Sequence, residues 1–122
     1  MIGYVTLGTN DLPRAGAFYD ALLADLSAKR LWDYAGGIGW GTSPEQPSLA
    51  LMKPFDGNPA TVGNGVMVGL VVKTTAQVDQ LYAKAIALGA KDEGQAGPRG
   101  KGFYAGYFRD LDGNKLCFFC AG

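Results

Sequence analysis

The sequence predicts an α+β fold that consists of two similar β-α-β-β-β units. In each half, a strand-like alternation of apolar residues is followed by a helix with one apolar stripe and then by three further strand candidates. Shifting the first half by 63 positions places Tyr19 on Tyr82 and superimposes the two helices. Because one such unit covers only one face of its sheet, a second unit is needed to cover the other face.

The first unit, about residues 3–53, begins with an alternating strand at residues 3–8. Asp11 is placed to cap the following helix, and Pro13 fits its first turn. Strand candidates come next, near residues 30–34, 37–42 and 48–53. One helix face is expected to carry the apolar residues Ala15, Phe18, Tyr19, Leu22, Leu23 and Leu26.

Residues 54–65 have the Pro-, Gly- and Asn-rich composition of a linker, and the second unit follows at residues 66–121. Thr74 and Gln77 predict a capping box at the start of its helix, and Gly89 marks the end of that helix. The remaining elements are strands near residues 66–72, 91–93, 103–109 and 115–119, the last two joined by a hairpin at Asp110–Asn114. All 122 residues are expected to form a single domain of two modules.

Composition excludes several classes of function. The chain of 122 residues (12.8 kDa) carries 11 basic and 11 acidic residues, so neither nucleic acid nor a membrane surface is an expected partner. It contains no histidine, which excludes Ser-His-Asp and Cys-His nucleophile pairs, imidazole bases and every metal site that needs histidine. No signal peptide and no apolar run of about 18 residues is found, which favours a cytoplasmic location.

The two cysteines, Cys117 and Cys120, form a Cys-x-x-Cys motif inside a strand-like run. A redox motif of this kind normally opens a helix, whose N-terminus lowers the thiol pKa. In a strand, positions i and i+3 point to opposite faces, which disfavours a disulfide between them. Two small buried residues in a reducing compartment are therefore expected.

Two segments carry a resemblance to a known family. The run at residues 5–23, from Val5-Thr-Leu-Gly-Thr-Asn-Asp-Leu-Pro-Arg-Ala to Phe18-Tyr-Asp-Ala-Leu-Leu, and the hairpin Tyr107-Phe-Arg-Asp-Leu-Asp-Gly-Asn resemble the glyoxalase/bleomycin-resistance/dioxygenase (vicinal oxygen chelate) superfamily. Leu111 stands where the family pattern has proline. The resemblance extends over essentially the whole chain and implies paired modules that enclose a cleft, and commonly a homodimer, in which some members exchange modules between chains.

Metal-dependent members of this family hold a divalent ion with two histidines and two carboxylates. The resemblance maps these four positions onto Tyr4, Ala50, Met67 and Cys117. Thiol and thioether groups are soft ligands, phenol is a poor ligand near neutral pH, and alanine offers no donor. We therefore expect no metal or other cofactor at the family positions.

Strand alternation, with Tyr4 placed inward, predicts which residues face the cleft. The cleft-facing candidates for ligand binding are Tyr4, Thr6, Ala50, Met67, Cys117 and Phe119. Trp40, between Gly39 and Gly41, is a further candidate, although a core position is an alternative. Arg99, in a Gly-rich loop at residues 96–102, either offers its guanidinium to a carboxylate or phosphate as part of a lid or belongs to an ordinary solvated loop.

These features predict a protein that binds a small apolar or aromatic molecule without the family's usual metal. The alternative is a lyase or isomerase that acts on a small carbonyl or thiol-conjugated substrate, so whether the protein is an enzyme is open at this point. A further alternative is that the cleft-facing side chains simply pack against one another.

Overall fold

Each half of the chain folds into one four-stranded sheet and one helix, as the sequence predicts. The computed structural model describes residues 1–121. Contacts divide the chain into a first unit, Met1–Thr61, and a second unit that begins at Val62. The elements are β1 (Tyr4–Gly8), α1 (Leu12–Ala24), β2 (Lys29–Tyr34), β3 (Gly37–Gly41), β4 (Ser48–Met52), β5 (Val68–Val71), α2 (Thr75–Ala87), β6 (Lys91–Pro98), β7 (Phe103–Arg109) and β8 (Lys115–Ala121).

In the first unit the strands lie in the order β1-β4-β3-β2, with β1 parallel to β4 and the other pairs antiparallel. The predicted cap of α1 is confirmed, because the Asp11 carboxylate accepts a hydrogen bond from the backbone N–H of Arg14. The predicted helix stripe is buried from Ala15 to Leu23, whereas Leu26 lies beyond the helix end. Apolar burial against β3 and β4 therefore fixes the orientation of the helix.

The second unit repeats this arrangement with the strand order β5-β8-β7-β6. Its helix carries the predicted capping box, in which Thr74 accepts from the backbone N–H of Gln77 and the Gln77 side chain accepts from the backbone N–H of Thr74. Gly89 follows the helix with φ at +108°, a conformation that favours glycine.

The prediction of a Gly-rich loop at residues 96–102 is wrong in part. Strand β6 continues to Pro98, and its last two residues pair with Ala105 and Tyr104 of β7. Pairing with β7 outweighs the low strand propensity of glycine, and two register irregularities absorb the poor fit. Only Arg99–Gly102 remain to connect β6 and β7.

The core of each unit lies between the helix and one sheet face. In the first unit, Tyr19 of α1 packs on Trp40 of β3, with the ring centres 5.5 Å apart. In the second unit, Phe108 of β7 stacks on Phe118 of β8 at 5.6 Å. All four residues are at most 1 % exposed. Each sheet thus has one face against its helix and a second face that its own helix does not cover.

Candidate functional site

The uncovered face of the second sheet brings together several of the predicted ligand residues. The register pairs Cys117 with Tyr107 and places Gly69 beside Cys117 and Val71 beside Phe119. Phe103 stacks on Phe119 with ring centres 5.4 Å apart. We call this surface the open face of the second sheet; its residues are Gly69, Val71, Phe103, Tyr107, Cys117 and Phe119.

The open face is apolar and partly accessible. Val71 is 68 % exposed, and Phe103, Tyr107 and Phe119 are half-buried. A methyl group added to Gly69 would lie 3.2 Å from the Phe119 ring and 3.4 Å from the Cys117 sulfur, so this glycine leaves the surface beside both side chains flat. Met67, predicted to lie on this strand, precedes β5 and is 44 % exposed.

Cys117 lies below this surface and is only 1 % exposed. Burial raises the pKa of its thiol above the ordinary value, although a backbone N–H bond from Leu70 and the nearby Lys115 ammonium act in the opposite direction. The thiol is therefore protonated near neutral pH, which is unfavourable for nucleophilic attack or metal ligation. Cys117 and Cys120 are both free and buried, which confirms the prediction from strand alternation.

Arg99 reaches back over the open face. Its guanidinium carbon is 5.4 Å from the centre of the Tyr107 ring, and its N–H groups donate to the backbone carbonyls of Gln95 and Pro98. The missing side chains of Gly94 and Gly97 provide the space, because an added methyl group would lie 3.4 Å and 3.2 Å from the guanidinium nitrogens. Arg99 is thus held by specific contacts at the end of β6.

Tyr107 and Lys115 are not among the ligand residues predicted from the sequence. The Lys115 ammonium lies 5.6 Å from the centre of the Tyr107 ring. The signal that would have found them is the hairpin register, because Tyr107 pairs with Cys117 and Lys115 stands two residues before Cys117 on the same face.

The first sheet has an uncovered face of its own. Tyr4 is 66 % exposed and Thr6 is also exposed on the edge strand β1, whereas their neighbour Ala50 is fully buried. Trp32 lies over Gly39 and packs against Tyr34 with ring centres 5.7 Å apart. A register irregularity between Arg30 and Trp32 alters the alternation in β2.

Trp40 lies in the core, the alternative that the sequence analysis leaves open. Its register partner is Leu49, whose side chain belongs to the helix-facing row, and only 1 % of Trp40 is exposed. Its indole N–H donates to Asp20 at 2.8 Å, and Asp20 also accepts from the Arg30 guanidinium at 2.8 and 2.9 Å. Trp40 is therefore a core residue of the first unit.

The Asp20 carboxylate provides a pH-dependent contribution to stability. Its pKa is lowered, chiefly by the hydrogen bond from Arg30 and further by that from Trp40, against an opposing effect of burial. A lowered folded-state pKa stabilises the fold above the unfolded value of 3.8 and loses that effect as the pH falls through the folded value. We expect Asp20→Asn to reduce the free energy of unfolding at pH 7 and to flatten its decline below pH 4.

Urea unfolding of the wild type and of Asp20→Asn across the acid range measures this effect. Asp25→Asn is the control, because Asp25 follows the same helix but makes no hydrogen bond to Trp40. An acid dependence in Asp20→Asn identical to that of the wild type would contradict the assignment.

The residues at the family's metal positions do not fit a hard divalent cation. Ala50 has no donor atom, Cys117 is a buried thiol with a raised pKa, Met67 supplies a thioether and Tyr4 supplies an exposed phenol. Within residues 1–121, no three His, Cys, Asp or Glu side chains form a group able to hold a metal ion. The donor set thus differs in kind from two histidines and two carboxylates.

A separate groove lies between α2 and β6, on the other side of the second unit. It is lined by Asp79, Tyr82, Ala83, Ile86, Gln95 and Ala96. Two of the polar side chains that line it are paired, since Tyr104 donates to Asp79 at 2.6 Å and Tyr82 donates to Asp92 at 2.7 Å. The bond to Asp92 and burial together raise the pKa of Tyr82 to about 12, with burial the larger cause.

Comparison with known proteins agrees with this architecture. The family model described as Glyoxalase/Bleomycin resistance protein/Dioxygenase superfamily matches residues 1–118. The chain belongs to this superfamily. No curated protein matches the chain.

Solved structures of similar proteins align with nearly the whole length of this superfamily member. A glyoxalase/bleomycin resistance protein from Albidiferax ferrireducens T118 is 36 % identical, with a TM-score of 0.88 and coverage of 98 % of this chain and 97 % of that one. The hypothetical protein SA1046 from S. aureus is 26 % identical, with a TM-score of 0.77 and coverage of 99 % and 93 %. A lactoylglutathione lyase from Agrobacterium tumefaciens is 20 % identical, with a TM-score of 0.72 and coverage of 98 % and 92 %, and this last likeness shows the fold alone.

Membership does not define the ligand, because this fold supports many activities. Neither helix of the part of the chain described here has the length and apolar character of a transmembrane segment. The chemistry of a ligand therefore depends on the side chains that this chain places on its uncovered sheet faces.

Proposed function

We propose that this superfamily member binds a small apolar or aromatic molecule on the open face of the second sheet, without a hard divalent metal at the family positions. The observation that carries the proposal is an accessible apolar surface on a sheet face that the unit's own helix leaves free. Val71 is 68 % exposed there, and Met67, just before β5, is 44 % exposed. Exposed apolar patches with polar surroundings are typical of ligand sites.

The shape of the surface favours a flat ligand. Phe103 and Phe119 form a stacked pair, and Gly69 leaves the neighbouring backbone uncovered. Aromatic ligands pack on such a surface by offset stacking or edge contacts, in addition to the free energy of apolar burial. Phe119, a ligand residue predicted from the sequence, is thus the proposed centre of the contact.

The chemistry of the face favours binding over catalysis. The Cys117 thiol is buried with a raised pKa, so it is poorly suited to act as a nucleophile. That Tyr4, Thr6 and Ala50 contact the same ligand, in one cleft between the modules, stays a prediction, as do a homodimer and a cytoplasmic location.

Titration of the full chain with 1-naphthol, by calorimetry at neutral pH, tests the proposal. We expect saturable binding that Val71→Ser weakens at least about fourfold, because the substitution removes two methyl groups, each of which contributes roughly 0.8 kcal/mol when fully buried, and adds a hydroxyl group. Val62→Ser is the matched control: Val62 is also exposed, at 46 %, but lies outside the strands. Circular dichroism shows whether each variant keeps the fold.

Two results would contradict the proposal. One is the absence of saturable binding for 1-naphthol and for a panel of other neutral aromatic compounds. The other is an equal loss of affinity in Val71→Ser and Val62→Ser, which would place the binding elsewhere. Turnover of a small carbonyl or thiol-conjugated compound, lost in Tyr4→Phe or Cys117→Ala, would instead support the lyase or isomerase alternative.

A further inference from the structure

We infer that the ligand of the open face is an aromatic oxyanion, whose negative group is held by Arg99, Lys115 and the Tyr107 hydroxyl. We call these three residues the anion subsite. The inference rests on the proposed function and adds to it the charge of the ligand. It follows from where two cations lie, from the absence of acidic partners for them within residues 1–121 and from the apolar surface beside them.

The two cations share one aromatic ring. The Arg99 guanidinium carbon and the Lys115 ammonium lie 5.4 Å and 5.6 Å from the centre of the Tyr107 ring. Cation–π attraction at these distances helps to hold both side chains at the sheet surface. All three residues are half-buried, which weakens solvent screening relative to a fully exposed site.

Neither cation is neutralised within the part of the chain that the structure describes. No carboxylate of residues 1–121 lies within 4.0 Å of the Arg99 or Lys115 side-chain nitrogens. By contrast, Arg109 pairs with Glu93 at 2.8 Å, and Arg30 pairs with Asp20 at 2.8 Å. Both positive charges therefore remain available to attract a bound anion.

The subsite also has hydrogen-bond donors to spare. Arg99 has five N–H donors, and its hydrogen bonds within residues 1–121, to Gln95 and Pro98, are made to backbone carbonyls. The Tyr107 hydroxyl has no hydrogen-bond partner within residues 1–121. Guanidinium, ammonium and phenol groups all donate to carboxylate or phosphate oxygens.

The charged groups adjoin the apolar surface. Tyr107 pairs with Cys117, and Cys117 in turn lies beside Gly69 in the register of the sheet. A molecule that lays an aromatic ring near Phe119 and Gly69 would therefore extend its polar end toward Tyr107. This juxtaposition favours an amphiphilic ligand with one ring system and one carboxylate or phosphate group.

Three probes with the same ring system test the inference: 1-naphthol, 1-naphthoate and 1-naphthyl phosphate. In calorimetric titrations of the full chain at neutral pH and low salt, we expect at least one of the two anions to bind about tenfold more tightly than 1-naphthol. The better anion identifies whether carboxylate or phosphate is the preferred group. Higher salt is expected to reduce the advantage of the anion.

Variants locate the effect. Arg99→Gln is expected to reduce the affinity for the anion by a larger factor than the affinity for 1-naphthol, and so to remove most of the preference for the anion. Lys115→Gln is expected to remove part of that preference, and Arg99→Lys is expected to keep more of it than Arg99→Gln. Lys101→Gln is the matched control, because Lys101 is an exposed cation two residues from Arg99 and is not one of the two cations that lie over the Tyr107 ring. Thermal unfolding verifies that each variant is folded.

The results separate the two proposals. If 1-naphthol binds as tightly as both anions, or if Lys101→Gln reduces anion binding as much as Arg99→Gln, the anion subsite is wrong and the aromatic binding face stands. If none of the three probes binds, the proposed function itself is overturned. Anion binding that keeps its advantage in Arg99→Gln and Lys115→Gln also overturns the subsite.

Discussion

Replacing Phe108 by alanine is expected to lower the free energy of unfolding by about 3–5 kcal/mol. Phe108 is fully buried on the helix-facing side of β7, where its ring stacks on Phe118 at 5.6 Å. The substitution removes the packing contacts of the buried ring and leaves a cavity, which the sheet cannot close without moving β8. Urea unfolding followed by far-UV circular dichroism measures the loss.

Phe103→Ala is the matched control for this prediction. Phe103 lies on the same strand and also stacks on a phenylalanine of β8, but it is half-buried on the open face. Its replacement is expected to lower the free energy of unfolding clearly less than that of Phe108, because less buried apolar surface is lost. Equal losses for the two variants would mean that the open face is as tightly packed as the helix-facing side.

Replacing Asp110 by alanine is expected to lower the free energy of unfolding by about 2–4 kcal/mol. Asp110 is 5 % exposed, and its carboxylate accepts hydrogen bonds from the backbone N–H groups of Asp112 and Asn114, each at 2.9 Å. It also accepts from the Asn114 side-chain amide at 3.0 Å. Alanine leaves these donors without their acceptor in a turn that is largely closed to water.

Asp56→Ala is the control for the hairpin variant. Asp56 accepts from the backbone N–H of Asn58 at 2.9 Å, which is the same kind of local bond, but in an exposed loop. Its replacement is expected to change stability by less than about 1 kcal/mol, since water takes over the freed donor. A small effect for Asp110→Ala would show that the hairpin is held by its strands alone.

Local signals in the sequence suffice for most of the fold. Asp11, Thr74 and Gln77 act as caps because the bonds they make lie within one helical turn, which a short sequence window contains. The Asp110–Asn114 hairpin is local for the same reason. The position at which β6 ends cannot be predicted from a short window, because Gly97 and Pro98 belong to the strand only through their pairing with β7.

The proposed ligand surface depends on strand register more strongly than the fold does. The two glycines beside Trp40 suggest an accessible ring, but its pairing with Leu49 places it in the helix-facing row. Tyr107 and Lys115 gain their role only through their positions relative to Cys117 and Arg99, which no single strand pattern contains. Alternation assigns residues to a face, and long-range pairing decides which of them become neighbours.

Both tryptophans of the chain, Trp32 and Trp40, belong to the first unit. Trp40 is enclosed in its core and Trp32 is half-buried on its uncovered sheet face, so their intrinsic emission reports on that unit and on two different environments within it. The second unit, which carries the proposed ligand surface, contains no tryptophan. A naphthalene probe can thus be excited and observed there without an indole beside it on the same sheet.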